Sequence, residues 1–135
     1  MELIPYLNFD GRCAEAFRFY HSVLGGTLEI VTFRDSPMAG ELSPEWQDRV
    51  MHARLVAGQA VLMASDTPPG QYAAPQGFAV TITVEEAGEA ERIFQALAEG
   101  GTITMPLEKT FWAERFGMLV DRFGVPWIVN GGRAA

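Results

Sequence analysis

The sequence repeats itself after 75 residues, and this repeat constrains the fold more than any other feature. Gly25-Gly26-Thr27 ends one amphipathic segment, and Gly100-Gly101-Thr102 ends another 75 positions later. Further on, Gly58 matches Gly124 at a spacing of 66, which makes the second copy nine residues shorter (75 minus 66) after the glycine pair. A repeat of this length is a whole supersecondary unit, and two such units commonly share one core with a ligand site where they meet.

The composition predicts one folded domain that does not span a membrane. Hydrophobic residues make up 48% of the 135 positions, yet no apolar run reaches the roughly 18 residues that a membrane helix requires. The formal charge of −7 argues against a nucleic-acid partner, because phosphate binding needs clustered Lys and Arg. Cys13 is the only cysteine, and no secretory signal is visible. We therefore expect a cytoplasmic location.

Each copy has the pattern of a strand, a helix and three further strands. In the first copy, Leu3 to Phe9 alternate as a strand, and Asp10 is expected to cap a helix that ends at Leu24. The other predicted strands are 28–34, 50–56 and 60–64 in the first copy and 78–84, 102–107, 116–120 and 125–129 in the second, whose helix is 85–99. A segment rich in Pro and Gly separates unit 1–66 from unit 77–135 within a single domain, 1–135.

Four sets of residues along nearly the whole chain carry a family resemblance. They are Tyr6-Leu7-Asn8-Phe9-Asp10-Gly11, Phe19-Tyr20 with Leu24-Gly25-Gly26, Leu62-Met63-Ala64-Ser65-Asp66, and Thr110-Phe111-Trp112-Ala113-Glu114-Arg115-Phe116-Gly117 followed by Asp121-Arg122-Phe123-Gly124-Val125-Pro126-Trp127. In these residues the chain resembles the PhnB-like family of the vicinal-oxygen-chelate superfamily, which includes glyoxalase I, bleomycin-resistance proteins and extradiol dioxygenases. The resemblance implies an α+β fold, in which tandem βαβββ units form a curled mixed sheet around a cavity, and a homodimer.

The resemblance also implies four metal-ligand positions on the first and last strands of the units. Carried over, they fall on Pro5, Met63, Ala79 and Ile128. None of these side chains is a carboxylate or an imidazole, whereas a transition metal needs three or four nitrogen, oxygen or sulfur ligands. We therefore predict no metal and no other cofactor. Some family members carry the name of a demethylubiquinone methyltransferase, but no Gly-x-Gly that could hold a methyl donor follows a strand here.

Six side chains are candidates for binding a ligand. They are His52, Met63, Thr110, Trp112, Arg115 and Trp127. His52 could act as a base or bind a ligand, or it could be a strand histidine with a backbone or interface partner. Arg115 could clamp a carboxylate or phosphate with its planar fork, or it could pair with Asp121 or Glu114.

The aromatic candidates leave two interpretations open. Trp112 and Trp127 could wall an aromatic pocket, or they could anchor a core or a dimer interface. Thr110 could donate to a ligand or cap the turn after Lys109. The polar segment 35–48 is expected to be a loop that covers a site or reaches a partner subunit, with Trp46 docked against other residues.

Three functions are compatible with these residues. The first is a protein that binds a small organic ligand without metal, in a cavity formed by the two units and lined by Trp112, Trp127, Met63 and His52. The second is a metal-dependent lyase or dioxygenase with a rearranged ligand set, such as His52 with Glu108 or Glu114. The third is a structural dimer whose cavity is filled by its own side chains.

Overall fold

The computed structural model describes residues 1–68 and 70–133. Its contacts divide the chain into two compact units that meet in the sequence between Ala73 and Ala74. Each unit contains a four-stranded mixed sheet and one long helix, which confirms the predicted α+β fold of tandem βαβββ units. Each sheet is open, because the first two strands of the unit form its two edges. In these parts of the chain, no helix combines the length and the apolar character needed to cross a membrane.

The first unit contains a helix packed on one face of its sheet. Its elements are β1 (Tyr6–Phe9), α1 (Cys13–Leu24), β2 (Thr27–Thr32), β3 (Val50–Ala57) and β4 (Ala60–Asp66). The strand order is β1-β4-β3-β2, with β1 parallel to β4 and the other pairs antiparallel. Helix α1 contributes the fully buried Phe17, whose ring meets Phe9 of β1 edge-on at 6.2 Å between centroids. The buried residues of α1, which are Cys13, Ala16, Phe17, Tyr20 and Val23, recur at helical spacing.

The start of α1 differs from the prediction that Asp10 caps it. The residue before the helix is Arg12, which makes no side-chain cap, and Asp10 instead lies 3.7 Å from Arg49. The carboxylate of Asp66, at the end of β4, takes the capping role. Its Oδ1 accepts hydrogen bonds from the backbone N–H groups of Gly11 and Cys13, at 2.8 and 3.1 Å. A cap from 53 residues away cannot be read from the local sequence.

The predicted loop 35–48 contains short helices. Two 3₁₀ turns, Phe33–Asp35 and Ala39–Glu41, are followed by the one-turn helix α2 (Pro44–Gln47). Trp46 docks within its own unit, where its ring meets Phe33 at 5.7 Å and the Arg49 guanidinium lies 4.6 Å from its centroid. This packing satisfies the expectation that an indole here would be docked.

The second unit repeats the arrangement of the first. Its elements are β5 (Val80–Val84), α3 (Ala87–Ala98), β6 (Thr102–Glu108), β7 (Arg115–Val120) and β8 (Pro126–Gly131), with strand order β5-β8-β7-β6. Helix α3 buries Ala90, Ile93, Phe94 and Leu97. Strand β6 is an edge strand that carries Pro106 and two register irregularities, which are features that discourage pairing with a further strand.

The strand registers show that the second unit is shortened by more residues than the spacing of the glycines indicates. Leu28 pairs with Leu55, and its counterpart Ile103 pairs with Leu119. The spacing therefore falls from 75 (103 minus 28) to 64 (119 minus 55), a loss of eleven residues. The segment between β6 and β7 accounts for this loss, because it has six residues (109–114) where residues 33–49 make seventeen. The hairpin turn then gains one residue, so that Met63 corresponds to Ile128.

Candidate functional site

Each sheet has one face covered by the helix of its unit and one face that this helix leaves uncovered. Along the strands, alternate residues are buried on the helix side, as Leu7, Ala53 and Leu62 are in the first unit. The intervening residues define what we call the helix-free face. In the first unit it comprises Tyr6, Asn8, His52, Arg54, Met63 and Ser65, and in the second unit Thr81, Thr83, Phe116, Met118, Ile128 and Asn130.

The helix-free face of the first unit is polar and brings two of the predicted residues together. Met63 pairs in register with Tyr6 on one side and with Arg54 on the other. The rings of Tyr6 and His52 lie 6.4 Å apart. Within residues 1–68 and 70–133, the side chains of His52, Arg54 and Ser65 form no hydrogen bond or ion pair, although all three are partly buried. These groups are available to a ligand.

The helix-free face of the second unit combines three apolar residues with three uncharged polar ones, and one of these has an acceptor that is unsatisfied within the described part of the chain. Asn130 is partly buried, and its Oδ1 is buried without a hydrogen-bond partner among the described residues. Buried polar atoms rarely lack a partner in proteins, and each exception calls for an explanation such as a missing ligand. Asn130 pairs in register with Thr83 and Phe116. Trp112 meets Phe116 edge-on at 5.1 Å, which extends this face with an indole that is 45% exposed.

Trp127 and Thr110 have structural partners. Trp127 is 1% exposed in the core of the second unit, and its Nε1 donates to Asp121 Oδ2 at 2.8 Å, an arrangement that favours the core-anchor alternative. Asp121 Oδ1 also accepts from the N–H groups of Phe123 and Val125. Thr110 Oγ1 accepts from the N–H of Ala113 at 3.1 Å, which is the turn-capping geometry.

Arg115 lies beside a surface groove on the helix side of the second unit. Its Nε donates to Glu91 Oε1 at 2.8 Å and its Nη1 to the backbone oxygen of Glu114, so its charge is compensated. The ionic partner is thus Glu91 of α3 and neither Asp121 nor the carboxylate of Glu114. The groove has a volume of about 700 Å³ between α3 and β6. It is lined by Glu91, Phe94, Gln95, Ala98, Glu99, Ile103, Leu107 and Arg115.

The residues that the family resemblance places at metal-ligand positions do not fit a metal ion. Pro5, Met63, Ala79 and Ile128 offer neither a carboxylate nor an imidazole, and a thioether alone makes no transition-metal site of the usual kind. Across residues 1–68 and 70–133, no three His, Cys, Asp or Glu side chains gather closely enough to hold an ion.

Cys13 has the environment of an unreactive structural thiol. It is fully buried at the start of α1, and its backbone N–H donates to Asp66. Burial, and then the negative charge of Asp66, raise the pKa of the Cys13 thiol well above its ordinary value. Because the thiolate is the nucleophile, this shift suppresses reaction at neutral pH.

Sequence and structure comparisons define the class of protein. Residues 4–129 match the model of the Glyoxalase/Bleomycin resistance protein/Dioxygenase superfamily, and the chain belongs to this superfamily. Escherichia coli (strain K12) protein YjdN is 34% identical over 96% of this chain and 95% of the relative. The predicted PhnB-like character is confirmed by these matches together with a similar structure that bears the PhnB name. The Bacillus cereus PhnB protein, at 26% identity, covers 98% and 100% of the two chains with a TM-score of 0.77. The crystal structure of protein PA1353 from Pseudomonas aeruginosa is also similar, with 51% identity, 98% coverage of both chains and a TM-score of 0.90.

Proposed function

We propose that this protein binds a small organic ligand, without a metal, on the helix-free faces of its sheets. The observation that carries the proposal is a set of partly buried groups on the first face, His52, Arg54 and Ser65, whose side chains have no hydrogen-bond or ionic partner among the described residues. Polar groups that leave bulk water without gaining a protein partner cost free energy, and a ligand that supplies the partner recovers it. We further propose that the protein acts in the cytoplasm, where the single thiol of Cys13 stays reduced.

The helix-free face of the second unit also has features that support ligand binding. Asn130 offers an acceptor that has no partner in the part of the chain that the structure describes, beside Phe116 and the indole of Trp112. A flat apolar surface with a few fixed polar groups is the usual composition of a site for an organic molecule. Of the six residues predicted from the sequence, this proposal keeps His52, Met63 and Trp112 as ligand contacts. It gives Thr110 a supporting role, because the Trp112 N–H lies 3.4 Å from Thr110 Oγ1.

A thermal-shift screen tests ligand binding. Small acids, aromatic antibiotics and methylglyoxal adducts are added to protein purified without a histidine tag, and at least one compound is expected to raise the melting temperature. A ligand at about a hundred times its Kd stabilises by about 2.7 kcal/mol, which shifts the transition by several degrees. The shift should shrink in His52→Ala. It should persist in His21→Ala, because His21 lies on α1, where its Nε2 meets the Gly26 carbonyl at 3.0 Å.

Two results would redirect the proposal. If no compound in the screen shifts the melting temperature, the structural dimer with a filled cavity becomes the better explanation. Elemental analysis of the same untagged protein addresses the metal-dependent lyase or dioxygenase. A stoichiometric transition metal that is lost in His52→Ala would favour this enzyme over a metal-free binding protein.

We also propose a homodimer, which sizing chromatography with light scattering tests. Phe111 is 90% exposed, and its ring meets that of Trp112 edge-on at 4.7 Å between centroids. The two rings form an apolar patch of the kind that subunit interfaces bury. The expected mass at micromolar concentration is twice that of the chain, and Phe111→Ser should lower it. A monomer at this concentration would contradict the proposal.

A further inference from the structure

Within residues 1–68 and 70–133, Arg54 is a cation that forms no ion pair, although the protein is acidic overall. The chain carries 17 acidic and 10 basic residues, and Arg12, Arg34, Arg49, Arg92 and Arg115 each lie within 4.0 Å of a carboxylate. Arg54 is partly buried at the centre of β3. Glu29 lies opposite it in the β2–β3 register, yet the two side chains form no ion pair. Opposite charges at directly paired positions normally attract, so the lack of an ion pair between Arg54 and Glu29 leaves the guanidinium able to bind another anion.

The duplicated unit shows that the fold does not need a cation at this position. Arg54 pairs with Met63 on β4, and Met63 corresponds to Ile128. Ile128 pairs with Met118 on β7, so Met118 is the counterpart of Arg54. In the same way Phe116, two residues before Met118, is the counterpart of His52. One scaffold thus accepts either an apolar or a polar pair on its helix-free face, and packing alone does not explain Arg54.

The neighbours of Arg54 form a site with one charged end and an apolar flank. His52 lies two residues earlier on the same face of β3, and Tyr6 reaches within 6.4 Å of its ring. Met63 lies between Tyr6 and Arg54 in the register. A guanidinium presents a planar pair of N–H groups that matches a carboxylate or a phosphoryl group. The tyrosine ring and the thioether suit the carbon skeleton next to such a group.

We infer that the helix-free face of the first unit selects small organic anions by holding their carboxylate or phosphoryl oxygens on Arg54, with Tyr6, His52 and Met63 around the attached carbon skeleton. This inference rests on the proposed ligand-binding function and adds the chemical class of the ligand. It also gives the two units different roles, since the corresponding face of the second unit presents Met118 and Phe116 and offers an anion no cation at these positions.

A titration with matched probes tests the selectivity. Benzoate, phenyl phosphate, neutral benzamide and cationic benzamidine are each added to the full-length protein, and binding is followed by NMR through the Arg54 side-chain N–H and the His52 ring. At least one of the two anions should bind roughly tenfold or more tightly than benzamide, as a charge-assisted hydrogen bond implies. Benzamidine should bind no better than benzamide. The preferred anion identifies the oxygen group, carboxylate or phosphoryl.

Arg54→Met is the decisive variant, because it installs the residue that the second unit carries at the same position and is expected to fold. It should reduce anion binding to the level of benzamide, whereas Glu29→Gln should leave the preference for anions in place. The inference is overturned if benzamide binds as tightly as both anions or if Arg54→Met keeps the preference. Equal binding of neutral and anionic probes would leave the proposed function intact, while failure of all four probes to bind at this face would count against both.

Discussion

Replacing Asp66 with alanine is expected to lower the free energy of unfolding by about 3–5 kcal/mol, because three backbone N–H groups would lose their acceptor. Asp66 is 4% exposed. Its Oδ1 accepts from Gly11 and Cys13, and its Oδ2 accepts from Val50 at 2.8 Å. These bonds join the end of β4 to the starts of α1 and β3. Urea unfolding followed by circular dichroism measures the effect.

Asp10→Ala is the matched control for this experiment. Asp10 is also an aspartate near the start of α1, but its side chain is 63% exposed and lies 3.7 Å from Arg49. An exposed pair of this kind contributes little, so its removal should change stability by less than about 1 kcal/mol. The loss of stability in Asp66→Asn should lie between those of the two alanine variants, because asparagine keeps one oxygen acceptor and turns an N–H₂ group toward Val50. Equal stability of the two alanine variants would show that Asp66 does not hold these elements together.

The periodic parts of the fold were predictable because their signals are local. The apolar spacing of α1 and α3 and the alternation along the strands place every main element within a few residues of its observed bounds. The exact ends of the strands and helices depend on partner residues that lie far away in the sequence. Strand β1 begins at Tyr6 and not at Leu3, because its ladder needs β4 beside it, and Leu3 is 92% exposed. The cap of α1 by Asp66 depends on the same parallel pairing.

The site was less predictable because it depends on which face of a strand each residue occupies. Trp112 and Trp127 occur in equally specific segments, yet Trp112 lies on an exposed turn while Trp127 is in the core. The register decides this, since Trp127 pairs with the buried Leu119 on the helix side of the sheet. Arg54 shares its face with His52, and that alternation was visible in the sequence. That Arg54 forms no ion pair with any described residue was not visible, because ion pairs depend on three-dimensional contacts.

Within the glycine pair that reveals the duplication, Gly26→Ala is expected to destabilise the protein more than Gly25→Ala. Both residues have positive φ, 74° at Gly25 and 88° at Gly26, where any other residue is strained. A Cβ at Gly25 would meet nothing within 4 Å, whereas one at Gly26 would overlap the carbonyl oxygen of Val56. Val56 pairs with Thr27, so the overlap would push β2 off β3.

Gly101→Ala separates backbone strain from steric overlap, because in the second unit the corresponding glycine would cause only the overlap. A Cβ at Gly101 would overlap the carbonyl oxygen of Val120, but Gly101 is not among the glycines with positive φ. We expect a loss of about 1–3 kcal/mol for Gly25→Ala, from backbone strain alone, because φ 74° with ψ −157° is almost restricted to glycine. Gly26→Ala adds the overlap and should lose more, about 3 kcal/mol or above, whereas Gly101→Ala has the overlap alone and should lose less than Gly26→Ala. Urea unfolding of the three variants measures this order. If Gly25→Ala proved as damaging as Gly26→Ala, the close approach of strand and glycine would not be the reason for the repeated pair.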